Sequence, residues 1–532
     1  MPRLPFCIVV GCLLLIWGCA GLVTQPPLET HLQAPEESVE RQCARFLNAL
    51  DQAVATAGVA DGEVATIPGF PYLRVDRFLA SFRAEVTPGP VFEAWVDRLQ
   101  ALAEEGRRME IANLPQAQQL RLTRMIPAIL HLAGNPNAAV QACGDRLRAA
   151  DLRDGNGQAL LRARAYVPSD YRLWQRVIGL YPLTALLFRW GIYHWHRETR
   201  AVYAQPLSSL PIRGRFVRFV PPSMNDSPGP AEVAAILERS TRNPLRIPEP
   251  SREDRERLFA ANAPSFEVDV VTADDRLGTP QWIGALYPTV NATQPTVYRR
   301  LSYTRVNGQT LLQLNYTVWF SARPKTSSLD LLGGRFDGIT WRVTLTPDGH
   351  PWVYDTIHNC GCYHLFFPTH RARRLPQPVT LKEPAFIPQE IREIKPGQRP
   401  ILRIATRTHY IERIAAEPTA EAETVTYYWG DYNSLRSLPS PQSGQRFGGA
   451  TRRSLFQPDG LVPGSERAER FLFWPMGIPS SGAQRQWGHH ATAFVGRRHF
   501  DDPALLGRVF ELLPQNKKLS DKRSYTFVKG SL

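Results

Sequence analysis

The hydrophobic pattern of this chain changes near residue 206 from a helical period to a strand period. In the first part, Val91 to Leu102 and Leu114 to Leu132 carry apolar residues at steps of three and four, as an amphipathic helix does. Beyond about Leu207, short runs of alternating apolar and polar residues are interrupted by prolines. The pattern predicts an α+β protein, with a helical N-terminal domain (residues 36–205) and a mainly antiparallel, β-rich C-terminal domain (residues 206–515).

The β-rich part contains a clear hairpin signal. Val297 to Arg305 and Thr310 to Ser321 are joined through Asn307-Gly308, and Asn-Gly between alternating runs favours a two-residue hairpin turn. Two further strands are predicted at Ile339 to Thr346 and Trp352 to Ile357, joined through Pro-Asp-Gly. We therefore expect a meander of four antiparallel strands.

One segment at the end of the helical part is unusually apolar. Trp174 to Trp195 is rich in aromatic residues but is interrupted by Pro182 and Arg189. An arginine this deep is rare in a transmembrane helix. Two interpretations remain open: a buried, kinked helix pair, or an amphipathic element that lies on a membrane surface.

The N-terminus has the pattern of an export signal. Arg3 supplies a positive end, and the apolar stretch from Phe6 to Trp17 is too short to span a bilayer comfortably. The residues Leu15 to Cys19 read Leu-Ile-Trp-Gly-Cys and resemble the lipobox of bacterial lipoproteins. The resemblance implies that residues 1–19 form the signal and its lipobox, and that Cys19 becomes the lipidated first residue of the mature chain. Ala20 after it implies an outer membrane location facing the periplasm rather than the inner membrane.

Two other interpretations of the N-terminus remain: an ordinary secretory signal and an uncleaved anchor. The stretch from Thr24 to Pro35 is rich in proline and polar residues, and residues 20–35 are predicted to be a tether between lipid and domain.

Loss of the signal leaves four cysteines beyond Cys19, which allow three pairings. Cys43 and Cys143 each lie in a run of helical character within the predicted N-terminal domain, and an exported protein permits disulfides. We therefore expect a Cys43–Cys143 disulfide. Cys360 and Cys362 would then be left to each other or to a metal.

A dense Cys/His run follows the last predicted strand of the meander. It contains His358, Cys360, Cys362 and His364, and thiolate with imidazole is the ligand set of zinc and of copper(I). In an extended strand the outer two would lie roughly 20 Å apart, so the chain must turn at Gly361 or take ligands from elsewhere. The other interpretations are a Cys360–Cys362 disulfide, inert buried thiols, and a catalytic thiol with a histidine base.

Further histidines and arginines lie near the C-terminus. Among them, His489 and His490 are candidate metal ligands. Because adjacent side chains on a strand point to opposite faces, we expect at most one of the two to reach a given ion. Arg497 and Arg498 are candidates for holding an anionic group. His370 and His499 are further candidate ligands, and a polar surface loop with structural ion pairs is the alternative.

Two carboxylates are candidate partners of ligating imidazoles. Asp337 and Asp355 lie in or beside the strands that precede the Cys/His run. A ligating histidine commonly donates its second ring N–H to such a group.

Composition and charge narrow the set of partners. The chain has 532 residues, is 43% apolar and carries a formal net charge of +14, almost all of it from arginine. This charge favours anionic partners such as an envelope polymer or lipid headgroups, and the export signal argues against nucleic acid. Residues 516–532 are predicted to be a basic tail.

No motif in the chain names a reaction, since it lacks the His-Glu-x-x-His, Walker and dinucleotide-binding patterns. The sequence therefore predicts a lipid-anchored envelope protein with a zinc, copper or disulfide site and a binding or structural role. The alternative is a metal-dependent hydrolase that acts on an anionic envelope substrate, with the ion activating water. Whether the protein is an enzyme, and its oligomeric state, stay open at this point.

Overall fold

The computed structural model describes residues 27–513, apart from 133, 224–227, 285, 379, 392–393, 396–397 and 441–450. The signal with Cys19, the first part of the tether and the basic tail lie outside these residues.

The N-terminal region is helical and encloses one small hairpin. Its helices begin at side chains that suit the role: Ser38, Asn135 and Asp154 each accept a hydrogen bond from a backbone N–H of the first turn. The elements are α1 (Pro27–Gln33), α2 (Val39–Ala57), β1 (Ala65–Ile67), β2 (Phe70–Val75), α3 (Arg77–Ala80), α4 (Pro90–Asn113), α5 (Gln116–Arg124), α6 (Pro136–Asp151), α7 (Gly155–Arg164), α8 (Leu173–Ile178) and α9 (Tyr181–Ala204).

A disulfide joins two helices of this region. Cys43 of α2 and Cys143 of α6 are bonded, with their Cα atoms 5.0 Å apart, and both are fully buried. They lie in a core with Phe46, Phe92 and Trp95. The predicted pairing is confirmed, and it links helices that are 100 residues apart in the sequence.

The β-rich region is organised around a six-stranded sheet. The four predicted strands form the expected meander, with antiparallel pairing between consecutive strands. Asn307 and Gly308 both adopt positive φ, as the tight hairpin requires. The strands are β7 (Thr296–Val306), β8 (Gln309–Arg323), β9 (Gly334–Leu345), β10 (Pro351–His358), β11 (Leu365–Pro368) and β16 (Tyr428–Asp431), in the order β11-β10-β9-β8-β7-β16.

A second, five-stranded sheet shares a core with the first. Its strands are β3 (Arg215–Val220), β4 (Ser265–Val270), β13 (Ile401–Ile404), β14 (Ile411–Ala415) and β15 (Glu423–Thr426), in the order β14-β13-β4-β3-β15. Val268, Leu402, Val318 and Trp341 from the two sheets belong to one hydrophobic cluster. The fold class predicted from the sequence is confirmed.

Short elements complete this region. They are α10 (Pro230–Ser240), α11 (Arg252–Ala261), β5 (Thr279–Gln281), β6 (Thr289–Asn291), β12 (Ala372–Arg374), β17 (Leu438–Pro439), β18 (Arg452–Arg453), α12 (Glu469–Leu472), α13 (Leu505–Val509) and β19 (Phe510–Leu512).

The last two helices of the N-terminal stretch, α8 and α9, pack on the β-rich region. Trp195 of α9 contacts the ring of Phe386, and the Tyr203 hydroxyl donates a hydrogen bond to the Ile411 carbonyl. Arg176 of α8 donates to the Met476 carbonyl. The inner side of these helices is therefore fixed, whereas most of their outer side is exposed.

Candidate functional site

The chain folds back within the Cys/His run, immediately after β10. Gly361 has a φ of +93°, and the His358 backbone N–H donates to the Cys362 carbonyl at 3.0 Å. A Cβ atom at Gly361 would lie 2.7 Å from the Ala491 carbonyl oxygen. Glycine is needed here both for its backbone conformation and for the close approach of a neighbouring segment.

Cys360 and Cys362 meet at this turn as buried, free thiols. The hydrogen bond between them lowers the pKa of Cys360 and raises that of Cys362. The structure thus has the pair in the thiol form rather than as a disulfide.

The candidate metal ligands point in different directions. His364 pairs with Asp355 at 2.9 Å and contacts the Thr492 hydroxyl, and burial lowers its pKa to about 4. His490 packs beside the rings of Trp487 and Phe500. Within the described part of the chain, no three His, Cys, Asp or Glu side chains are grouped to hold one ion. The geometry gives the zinc or copper prediction no support, and metal content is the property that would test it.

The histidines near the C-terminus connect a C-terminal loop to the N-terminal region. His489 forms a hydrogen bond through Nδ1 to Asp170 at 2.9 Å and another through Nε2 to the Gly62 carbonyl at 2.6 Å. Asp170 also pairs with His499 and with Arg77. These contacts hold a C-terminal loop against the helical region, which is a structural role.

The two candidate anion-binding arginines differ in accessibility. Arg498 is buried and donates to the Glu383 carbonyl at 2.5 Å, so its guanidinium is engaged within the protein. Arg497 is exposed, and it follows Gly496, whose carbonyl accepts a hydrogen bond from Arg176 of α8.

A buried network lies beneath His358. Asp337 is fully buried, and its carboxylate faces His358 Nδ1 at 3.4 Å, His409 Nδ1 at 2.9 Å and Arg467 at 3.2 Å. Asp337 and Asp355, proposed from the sequence as partners of imidazoles, thus pair with His358 and His364.

The network sets the charge of its two histidines in opposite directions. Burial lowers the pKa of His358 below 6.5, so the ring is neutral near pH 7. With Nδ1 turned towards Asp337, the proton is assigned to Nδ1, which leaves Nε2 as a proton acceptor. Burial opposes charge on His409 as well, but its hydrogen bonds to Asp275 and Asp337 raise its pKa.

His358 lines a cavity of about 330 Å³, which we call the His358 cavity. Three rings stand beside it: Tyr363 lies 4.9 Å from His358, 4.7 Å from Tyr410 and 5.3 Å from Trp195, measured between ring centroids. Trp195 comes from α9, whereas the two tyrosines come from loops that follow β10 and β13. All three rings line the cavity.

The charged groups of the cavity are mainly acidic. Glu198, Asp269 and Glu412 line it together with a single arginine, Arg213. Both Asp269 oxygens accept backbone N–H groups, which fixes that carboxylate in place. Hydroxyl groups of Thr356 and of three other threonines complete the polar lining, namely Thr199, Thr406 and Thr408.

Left-handed backbone conformations are frequent around the same network. Phe336 precedes Asp337, Tyr363 follows the cysteine turn, and Arg407 and His409 flank Thr408; all four have φ between 53° and 65°. Non-glycine residues pay an energetic penalty in this region, and such residues cluster at functional sites. This independent observation marks the His358 cavity as the candidate site.

A second, larger cleft of about 660 Å³ lies between the helical and β-rich regions. Its arginines are already paired, for example Arg77 with Asp501 and Arg300 with Glu63. Seven carboxylates and five arginines line this cleft, and we do not assign it a ligand.

The sequence pattern indicated His358 and the neighbouring carboxylates but did not single out Trp195, His409 or Tyr410. The only available signal was the His-Tyr pair at 409–410, which repeats the Tyr-His pair at 363–364 in reverse order. No protein family, curated protein or solved structure matches this chain. Its function must be argued from its own geometry.

Proposed function

We propose that the protein is a lipid-anchored protein of the bacterial envelope that binds a small organic cation in the His358 cavity. The observation that carries this proposal is the combination of an aromatic wall with an acidic rim. It keeps the binding role expected from the sequence and replaces the metal by an organic ligand. The lipid anchor at Cys19 is part of the proposal and rests on the lipobox resemblance.

The aromatic wall suits a cation. The faces of tryptophan and tyrosine carry negative electrostatic potential and attract ammonium groups, most strongly where water is excluded. Trp195, Tyr363 and Tyr410 line one cavity, and the Arg323 guanidinium already stands over the Tyr410 ring at 5.1 Å. A site of this kind binds methylated ammonium groups, whose positive charge is spread over apolar surface.

The carboxylates of the rim also attract a cation. Three carboxylates and one guanidinium line the cavity. Glu412 also pairs with Arg403 at 3.6 Å, so Glu198 and Asp269 carry most of the negative charge that favours a cation over an anion here. Burial raises the pKa of Glu412, and a nearby ligand cation would favour its ionised form. The threonine hydroxyls can orient a hydroxyl group on the ligand.

Choline and its uncharged carbon analogue, 3,3-dimethylbutan-1-ol, form the matched pair of probes that tests this proposal. Both have the same shape, so calorimetric titration separates charge from size. We expect choline to bind about tenfold more tightly than the analogue, or more, because only choline gains cation–π and carboxylate attraction. Glu412→Gln should weaken the binding of choline and leave the affinity for the analogue unchanged. Equal affinities for the two probes would refute the proposal.

A second candidate function is acid–base hydrolysis without a metal. The specific observation is the neutral His358 ring, whose Nδ1 faces the buried Asp337 while the ring lines the cavity. In this arrangement Nε2 can accept a proton from water attacking a bound ester.

Two nitrophenyl esters test this chemistry: one of a carboxylic acid that carries a quaternary ammonium group, and one of an uncharged carboxylic acid. A general base must be unprotonated, and the pKa of His358 is lowered. Hydrolysis should therefore stay constant around neutral pH and fall only when the pH drops below 6.5. His358→Gln should abolish hydrolysis while choline binding persists; hydrolysis that survives this substitution excludes His358 as the base.

A further inference from the structure

The outer side of α8 and α9 forms an extended apolar surface. Between Leu173 and Tyr193, ten large apolar side chains are exposed, and Leu187 and Trp190 are 74% and 70% exposed. Phe471 and Leu472 are exposed beside them. We call these side chains together the α8–α9 surface.

The two sides of α9 are separated by its helical period. Leu183, Leu187 and Trp190 recur at steps of four and three on the exposed side. Ala185, Phe188 and Ile192 recur at similar steps and belong to a packed cluster on the inner side. Because the inner side is packed against the β-rich region, the outer side is held towards the surroundings.

Aromatic contacts make the surface continuous with α12. Trp174 meets Trp474 at 5.6 Å, and Phe188 meets Phe473 at 5.2 Å, both between ring centroids. These contacts place Phe471 and Leu472 of α12 next to α8 and α9. Soluble monomers rarely expose contiguous apolar patches of this kind without a partner.

Arginines surround the apolar residues. Arg172 is exposed just before α8, Arg189 of α9 donates to the Thr380 carbonyl, and Arg470 stands over the ring of Phe471. The exposed Arg497 follows the segment that Arg176 of α8 holds. The surface therefore combines apolar and aromatic side chains with a basic margin.

We propose that the α8–α9 surface docks on the anionic surface of a lipid bilayer. Tryptophan and tyrosine prefer the boundary between headgroups and acyl chains, apolar side chains enter that boundary, and arginines pair with anionic headgroups. In the described part of the chain, no helix is both long and apolar enough to cross a membrane. The inferred mode is therefore binding in the plane of the membrane.

The basic margin also argues against a second copy of the chain as the occupant. In a two-fold symmetric dimer the same patch meets itself, so its arginines would approach those of the other copy. Like charges placed together oppose such an interface. An anionic bilayer removes this repulsion.

Flotation with lipid vesicles tests the inference without the lipid anchor. The chain from Ala20 onward retains every described residue and has no lipidated cysteine. Vesicles of phosphatidylglycerol and phosphatidylethanolamine provide an anionic surface, and vesicles of phosphatidylcholine provide a neutral one. We expect the protein to float with the anionic vesicles and to bind the neutral ones about tenfold more weakly.

The double variant Leu187→Glu, Trp190→Glu should reduce binding to anionic vesicles by about tenfold or more, because it places charge in the apolar boundary. Leu120→Glu is the control, since Leu120 is 54% exposed on α5, a helix of the N-terminal region, and it should bind as the native chain does. Arg172→Glu combined with Arg497→Glu should weaken binding at low salt.

Three results would overturn the inference. The native protein could stay in the unbound fraction, or Leu120→Glu could lose as much binding as the double variant. In the third, sedimentation finds a native dimer that the double variant dissociates while flotation is unchanged. Circular dichroism shows whether each variant is folded. Choline titration of the same variants separates failure of this inference from failure of the cavity proposal, because the α8–α9 surface does not line the His358 cavity.

Discussion

Glu469 is a buried carboxyl group that should make stability depend on pH. Burial raises its pKa to about 7, from an ordinary value of 4.5, despite the nearby Arg467. The folded state therefore holds this proton more tightly than the unfolded state, so the group costs no stability below pH 4.5 and progressively more up to about pH 7. Glu469→Gln removes that cost.

We expect Glu469→Gln to raise the free energy of unfolding by on the order of 2 to 3 kcal/mol at pH 8 and to change it little at pH 4.5. Denaturant unfolding at the two pH values measures the difference. A variant that is equally stabilised at both values, or destabilised at pH 8, would show that the charge on Glu469 is compensated in the folded protein.

At the scale of single residues, the sequence indicated only groups on the same strand or on consecutive strands of the meander. Asp337 and Asp355 could be proposed because they lie close in sequence to His358 and His364. Trp195 and Tyr410 could not, because they are separated by more than 200 residues and meet only when α9 packs on the β-rich region. Their contact depends on tertiary packing, which no local pattern encodes.

At the scale of secondary structure elements, the disulfide between α2 and α6 is the strongest constraint on the N-terminal region. Closing a loop of about 100 residues contributes about 4 to 5 kcal/mol in the chain-entropy model. The double variant Cys43→Ala, Cys143→Ala should lose stability of this order in denaturant unfolding.

Peptide mapping without reductant checks the pairing directly. A Cys43–Cys143 linked peptide is expected, and alkylation after denaturation should modify only Cys360 and Cys362 beyond any N-terminal cysteines. A peptide that links Cys43 to Cys360 would contradict the fold as described.

The elements themselves were largely predictable because their periods are regular. The Asn307-Gly308 turn determined the first hairpin of the meander, and β9 and β10 followed from their alternation. Helix α9 is the exception. It is apolar on both sides, so its pattern indicated neither which side would pack nor whether the other would be covered.

At the scale of the whole molecule, the proposed lipid anchor rests on Cys19. Cys19→Ser should either release the protein from membranes or leave its signal uncleaved, because the lipobox resemblance makes this cysteine the site of cleavage and acylation. Mass spectrometry and membrane fractionation of cells that express the variant measure both outcomes. An unchanged mass with unchanged membrane partition would exclude lipidation at Cys19.

The acidic and basic groups that the two proposals use lie in different parts of the molecule. The overall charge of +14 indicated an anionic partner, yet the His358 cavity is mainly acidic. The basic groups that suit an anionic partner instead surround the α8–α9 surface. Net charge alone could not distinguish these locations, because it sums a cavity and a surface of opposite character.

Helix α9 belongs to both features, since Trp195 lines the cavity and Trp190 lies on the outer surface. Titration of choline into native protein, Trp195→Ala and Trp190→Ala therefore tests whether choline binds in the His358 cavity. We predict that Trp195→Ala weakens choline binding by about tenfold, as the loss of a desolvated cation–π contact would, whereas Trp190→Ala leaves it unchanged. Equal effects of the two substitutions, or no binding of choline by the native protein, would contradict it.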